Sequence, residues 1–292
     1  MLSSGIARVL VLGAGTIGTQ VAAAFALRGF TTVLHDIDPA RLERAMAEVR
    51  GLLDRLTSEG VIGRDTAAEA RKRLAASADM AEAARGVDLV SESVPEDLAL
   101  KREVFARLDA ACGPETVFTT NTSDLLPSML AEATGRPGLF AALHFHAPLH
   151  EGDIVDIMPH PGTAPETVAM LRRLADDLRL TAIVLEREHP GYVFNTLLNA
   201  LNRAALGLVV EGVATPETVD MAWTRVMHAP IGPFGILDRV GLDTALRIAR
   251  LGATHTGDPG LWKIVEYLAG YVEAGRLGVR SGQGFYSYTG AA

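Results

Sequence analysis

The chain has 292 residues, 48% of them hydrophobic and 21% charged, with a formal net charge of −8. That length predicts two domains, and the apolar share excludes a disordered or collagen-like chain. An acidic balance without an extended basic stripe argues against nucleic acid as a partner, while the lone Cys112 excludes an internal disulfide and a thiolate metal cage and fits a reducing cytoplasm.

Between Arg8 and Arg28 run 19 uncharged residues, Val9 to Leu27. Length and composition alone admit a membrane span or a signal sequence there. Glycines at 13, 15 and 18, with Thr16, Thr19 and Gln20, make it a poor lipid-facing helix, and no second span is expected. It divides instead into a buried strand, Ala7–Leu12, a glycine turn, and a helix over Thr16–Gly29. Thr32–His35 is a second strand, followed by Asp36. Strand, glycine turn, helix, strand is the opening βαβ unit of a doubly wound sheet.

The pattern next predicts helices over Pro39–Leu56 and Asp65–Ala76, a strand at Val87–Val90 and a helix over Asp97–Ala110. Strands follow at Thr116–Thr119, Gly138–Phe145 and Asp153–Met158. A helix over Glu166–Leu178 and a strand at Thr181–Leu185 close this half. After His189-Pro190-Gly191 only helices are expected, over Tyr192–Glu211, Pro216–Thr224, Phe234–Leu251 and Leu261–Ala274. The expected fold is α/β: a Rossmann-like doubly wound domain over 1–189, then an all-α domain over 190–292.

The turn reads Gly13-Ala14-Gly15-Thr16-Ile17-Gly18. It follows a strand and opens a helix, the context in which GxGxxG binds a dinucleotide. Gly13 permits the tight turn, Gly15 lets backbone approach a pyrophosphate, and Gly18 lets helix and strand pack closely. The helix start offers free N–H groups and partial positive charge to the pyrophosphate. Asp36, 23 residues after Gly13, would accept hydrogen bonds from ribose hydroxyls and repel a 2′-phosphate, favouring NAD over NADP.

Two further stretches follow strand candidates: Asn121-Thr122-Ser123 and His144-Phe145-His146-Ala147-Pro148. In open α/β sheets, ligands sit at the carboxyl ends of strands. Asp156 lies in a third strand. His144 and His146 alternate and share one face of an extended segment. Two such histidines suit a metal, but no acid or cysteine stands at usual ligand spacing, so no metal is expected.

These residues sit in a sequence that resembles the L-3-hydroxyacyl-CoA dehydrogenase family over nearly its whole length. The matching segments are VLGAGTIGTQVA (11–22), SESVPEDLALKREVF (91–105), TNTS (120–123), HF with Pro148, IVDI (154–157), PGYVFN (190–195), APIGPFGILDRVGLD (229–243) and SGQGFYSY (281–288). The resemblance implies that His144 is the catalytic histidine and Asp156 its carboxylate partner, a position where the family normally has glutamate. It implies that Ser123 contacts the reacting oxygen and that Asn195 is supplied by the helical domain. It implies that Gly13, Gly15, Thr16, Ile17, Gly18, Asp36 and Asn121 face NAD. Glu96 and Lys101 match positions near the nicotinamide and the site's rim, and by themselves read equally as an exposed helix pair. Ser123 reads also as a cap for a helix starting near Leu125.

Alcohol oxidation needs a base as hydride leaves, and an imidazole, with an ordinary pKa of about 6.5, suits it. A carboxylate fixes its tautomer and stabilises the imidazolium. Ser123 and Asn195 would hydrogen-bond the oxygen where charge develops, and domain closure would complete the site.

The chain departs from the family at His146-Ala147, where a Phe-Asn pair is usual, and at Asp156, one methylene shorter than glutamate. Both departures bear on the substrate. The resemblance implies a short acyl-CoA, with a carrier-protein thioester or a free 3-hydroxy acid of the L-gulonate or carnitine type as alternatives. A nucleotide-binding protein without turnover, as in crystallins of the superfamily, is the non-enzyme alternative. Arg50, Arg55, Arg64, Arg71, Lys72 and Arg73 on the helical arm either meet CoA phosphates or form a solvated face with Glu48, Asp54, Glu59, Asp65 and Glu69. The family's helical domain implies a homodimer. The apolar run Leu197–Val210 fits that contact or a core helix.

Overall fold

The computed structural model describes residues 2–150 and 152–288. The chain falls into two compact units, the first ending at Tyr192 and the second beginning at Val193.

The first unit is built on β1 (Arg8–Leu12), whose residues alternate between two cores. Val9 and Val11 join one core and Leu10 and Leu12 the other, so the strand is apolar from Val9 onward. The sheet runs in the order β3-β2-β1-β4-β5-β6-β7-β8. Its other strands are β2 (Thr31–His35), β3 (Leu74–Ser77), β4 (Leu89–Glu92), β5 (Val117–Thr120), β6 (Phe140–Phe145), β7 (Ile154–Pro159) and β8 (Thr181–Val184). Neighbours are parallel except β6 and β7, which run antiparallel. The order reverses at β1, between β2 and β4, so the loop after β1 opens at a topological switch point.

Helices cover both faces. α1 (Thr16–Leu27) buries Val21, Ala22, Phe25 and Ala26 in the first core, with the Phe25 ring edge-on to Phe30 at 5.2 Å. α2 (Pro39–Ser58), α3 (Arg64–Arg73) and α6 (Pro165–Leu178) join that side. The short α4 (Met80–Ala83) and α5 (Leu98–Ala111) cover the other, where Phe105 packs on Phe118 and Phe140. One expectation needs correction: the helix predicted over Asp65–Ala76 ends at Arg73, and β3 begins at once. Its sequence, LAAS, lacks β-branched residues, and only Leu74 is buried. Pairing with β2 makes it a strand where local propensity does not.

The second unit is helical: α7 (Tyr192–Val210, its first residue belonging to the first unit), α8 (Pro216–Met227), α9 (Pro233–Val240), α10 (Leu242–Thr256) and α11 (Pro259–Glu273). Its core gathers Leu206, Phe234, Leu237, Leu246, Ile264 and Leu268. The single helix predicted over Phe234–Leu251 is two. Gly241, at φ +99°, breaks it in a conformation that side chains rarely adopt. Asp238, 1% exposed, accepts hydrogen bonds from Phe285 N and Tyr286 N and from the Tyr288 hydroxyl, each at 2.9 Å, and so clamps the SGQGFYSY segment. The expectation of no further span also changes: α7 is long and apolar enough, by length and composition, to cross a membrane. Val9–Leu27, by contrast, is a strand, a turn and a 12-residue helix.

Candidate active site

The glycine turn lies between β1 and α1. A Cβ on Gly13 would stand 2.5 Å from the Ser93 carbonyl oxygen, and one on Gly18 would stand 1.8 Å from that of Gly13. Both positions are therefore closed to any side chain. A Cβ on Gly15 would meet nothing within 4 Å. Open space thus adjoins the uncapped N-terminus of α1, the environment that favours an anion. Asp36 is buried at the end of β2. One of its carboxylate oxygens accepts from Ala14 N at 2.9 Å and the other from Asp38 N at 3.0 Å, while Arg41 stands 3.6 Å away. The acid thereby ties the second strand to the turn. The cradle, the open approach at Gly15 and the adjacent carboxylate fit a dinucleotide.

The second cluster is built by the one antiparallel pair. His144 on β6 lies directly opposite Asp156 on β7. Opposed side chains on one face of such a pair meet. His144 Nδ1 donates to Asp156 Oδ2 at 3.1 Å, and His146 Nε2 donates to the same oxygen at 2.8 Å. Asp156 itself is fully buried. Because a carboxylate only accepts, His144 carries its proton on Nδ1 and leaves Nε2 basic. The Ser123 hydroxyl, 3.2 Å from Nε2, is then the donor. Burial alone raises the Asp156 pKa. Hydrogen bonds and charge from His144 and His146 outweigh it and hold the carboxyl below its ordinary value.

The loop after β5 positions Ser123. Asn121 Oδ1 accepts from Phe145 N at 2.7 Å, tying the loop to the end of β6. The cap for Leu125 N is Thr122 Oγ1, at 2.9 Å, and not Ser123, whose hydroxyl turns to His144. Sequence reasoning missed Tyr192. Its ring stacks on His144 at 4.5 Å between centroids and 12° between planes, and its hydroxyl donates to the Thr122 carbonyl at 2.8 Å. Its backbone has φ +53°, uncommon for a large side chain, and these two contacts hold it there. Burial, then the Asp156 charge, pushes its phenol pKa well up. Asn195 belongs to the second unit, on the first turn of α7.

Of the two residues read as an exposed pair, Glu96 is exposed but Lys101 is buried. Lys101 is 1% exposed, and its ammonium lies 2.6 Å from Glu92 Oε1, on a residue equally hidden at the end of β4. Thr120 Oγ1 and Val94 N also donate to Glu92, at 2.6 and 2.7 Å. Burial drives the Glu92 pKa up, against the pull of Lys101, Thr120 and Val94. Glu96 is 3.3 Å from the same ammonium and accepts from the Thr122 hydroxyl. Glu92 lay unseen in the sequence. The only signal was an acid inside an apolar strand, with a lysine nine residues on in the next helix.

On the helical arm, Arg71 pairs with Asp54, and Lys72 and Arg73 pair with Glu69. Arg55 lines a cavity of about 480 Å³ with Thr16, Thr19, Gln20, Glu48 and His150. One structural premise about metals also changes. The two histidines do meet an acid, since Asp156 brings one ligand atom of each residue in the trio within 4.8 Å of the others. Hydrogen bonds within the trio account for that geometry.

A glycine cradle at the switch point of a mostly parallel sheet, beside a hydrogen-bonded imidazole, is the architecture of a nicotinamide-dependent dehydrogenase. The family model for the 3-hydroxyacyl-CoA dehydrogenase NAD binding domain matches residues 8–189, and that for the 3-hydroxyacyl-CoA dehydrogenase C-terminal domain matches residues 191–288. The chain belongs to this family and is an NAD-dependent oxidoreductase. A probable 3-hydroxybutyryl-CoA dehydrogenase of Bacillus subtilis is 34% identical over 286 residues, covering 97% of this chain and 98% of the relative. A solved diketoreductase described as acting on dicarbonyl compounds is 38% identical, with a TM-score of 0.92 and coverage of 97% and 99%. A solved (S)-3-hydroxybutyryl-CoA dehydrogenase from Ralstonia eutropha is 30% identical, with a TM-score of 0.87 and coverage of 98% and 100%.

Proposed function

We propose that the protein interconverts a short-chain L-3-hydroxyacyl-CoA and the 3-oxoacyl-CoA, with His144 as acid–base catalyst. The observation that carries this is the continuous line from Ser123 Oγ through His144 to Asp156. Bound NAD supplies the hydride acceptor, held by the backbone of Gly13 to Gly18 with Asp36 at the ribose and Asn121, Glu96 and Lys101 toward the nicotinamide side. His144 Nε2 takes the hydroxyl proton. Asp156 stabilises the imidazolium that results, and Ser123 donates to the reacting oxygen. In the reverse direction the imidazolium returns the proton. The family resemblance supports Asn195 as a second donor to the reacting oxygen.

The helical unit carries a two-fold self-contact, supported by exposed Leu197, Leu208, Val213, Met221 and Val226. The working compartment is the cytoplasm, where Cys112 stays reduced. A second reading, turnover of a free oxo or hydroxy compound, is favoured by the likeness to the diketoreductase and by the internal pairing of Arg71, Lys72 and Arg73, which leaves fewer cations for CoA phosphates. The deciding experiment is a kinetic panel of acetoacetyl-CoA with NADH, against free dicarbonyl compounds with NADH and free 3-hydroxy acids with NAD. Oxidation of NADH by acetoacetyl-CoA with the highest kcat/KM supports the first reading. Turnover of free compounds alone replaces it with the second.

A further inference from the structure

His146 stands one residue past β6, 16% exposed, with its ring edge-on to that of His144 at 4.7 Å and 80°. Its bond to Asp156 Oδ2, at 2.8 Å, is shorter than the 3.1 Å bond from His144 to the same oxygen. The other oxygen, Oδ1, is buried without a hydrogen-bond partner among the described residues. One oxygen thus takes both donors, and no other hydrogen bond among the described residues orients the carboxyl group.

We propose that His146 is a positioning residue for the acid–base pair, holding the Asp156 carboxylate in place at His144; the assignment rests on the dehydrogenase reading above. The physical need is specific. A fully buried carboxylate is costly with a single neutral donor. In that reading His144 gains and loses a positive charge in each turnover, so its hold on Asp156 rises and falls. The N–H of His146 is the constant donor. It keeps Oδ2 aimed at Nδ1 when His144 is neutral and Nε2 must be the basic atom. In this assignment His146 acts through Asp156 rather than on the reacting oxygen.

The test uses His146→Phe, which keeps an edge-on ring and removes the donor, and His146→Gln, which restores an N–H at similar reach. With acetoacetyl-CoA and NADH, His146→Phe is expected to lower kcat about tenfold, the order of one charge-assisted hydrogen bond, with KM within about twofold. His146→Gln should recover most of the loss. Adding His146→Phe to Asp156→Asn should cost little more than Asp156→Asn alone. An unchanged kcat in His146→Phe, equal loss in His146→Gln, or additive losses would each overturn the proposal. Imidazole ¹⁵N–¹H spectra of the wild-type protein give a readout independent of substrate. A slowly exchanging Nε2–H resonance, absent in His146→Phe and shifted in Asp156→Asn, supports the bond, and its absence in wild type refutes it. If wild type reduces none of the panel's carbonyl compounds, the catalytic reading fails, and the spectra alone judge the His146–Asp156 link.

Discussion

Glu92, at the carboxyl end of β4, and Asp156, in the first half of the antiparallel β7, are both carboxylates with no exposed surface in one sheet, yet their acidities move in opposite directions. Burial opposes ionisation at each. At Glu92 it prevails over an ammonium, a hydroxyl and a backbone N–H; at Asp156 two imidazoles prevail over it. The partners explain the division of labour. The Glu92–Lys101 pair, 2.6 Å apart with both side chains hidden, ties β4 to α5 as a static brace. Imidazoles change charge near neutral pH, so the Asp156 cluster is suited to proton traffic.

The strongest test of that contrast is His144→Ala, which should lower hydride transfer by about two to four orders of magnitude while NAD still binds. Stopped-flow turnover and cofactor titration read the two properties separately, and unchanged turnover would remove His144 from its role. Next comes a crossed pair. Asp156→Asn should cost about a hundredfold in kcat, because the imidazolium loses its stabilising charge. Glu92→Gln should instead cost about 3 kcal/mol of stability, because it leaves the buried Lys101 ammonium with only the more distant Glu96, at 3.3 Å, as a carboxylate partner. Chemical denaturation and kcat on both variants decide it: the opposite pattern would erase the distinction drawn here.

A smaller effect is expected at Asp36→Ala, a loss of about tenfold in the NAD over NADP preference of kcat/KM, the order of one charge-assisted contact. An unaltered ratio would exclude the ribose role. The smallest is in pH dependence. Asp156 has a depressed pKa, so its contribution to stability is present above the ordinary carboxylate value and lost as pH falls through the lower, folded-state value. Glu92 has a raised pKa, so its contribution is greatest below the ordinary value and declines as pH rises toward the folded-state value. Urea melts over about pH 3 to 6 should therefore show a flatter acid limb for Asp156→Asn than for wild type.

Much of the first unit was legible because its signals are local. Val9–Leu12 is apolar on both faces, and Gly13 and Gly18 occupy positions where no side chain fits. β3 was illegible because its strand character comes from pairing with β2, not from Leu74 to Ser77 themselves. The break at Gly241 was hidden because Leu237 and Ala245, both buried and each four residues from Gly241, continue a helical spacing across it. At the site, His144 and Asp156 came from resemblance. No periodicity could have placed residues 12 apart opposite each other without knowing the antiparallel turn between β6 and β7. Glu92 and Tyr192 depend on burial and ring stacking, which the sequence does not encode locally.

Tyr192 joins two properties that are usually separate. It is the last residue of the first unit and the first residue of α7, and its ring lies flat against His144. The residue that ends the first unit is therefore also the one whose ring covers His144. An isotopic label on this ring would report on the state of the stacked imidazole from the last residue of the first unit.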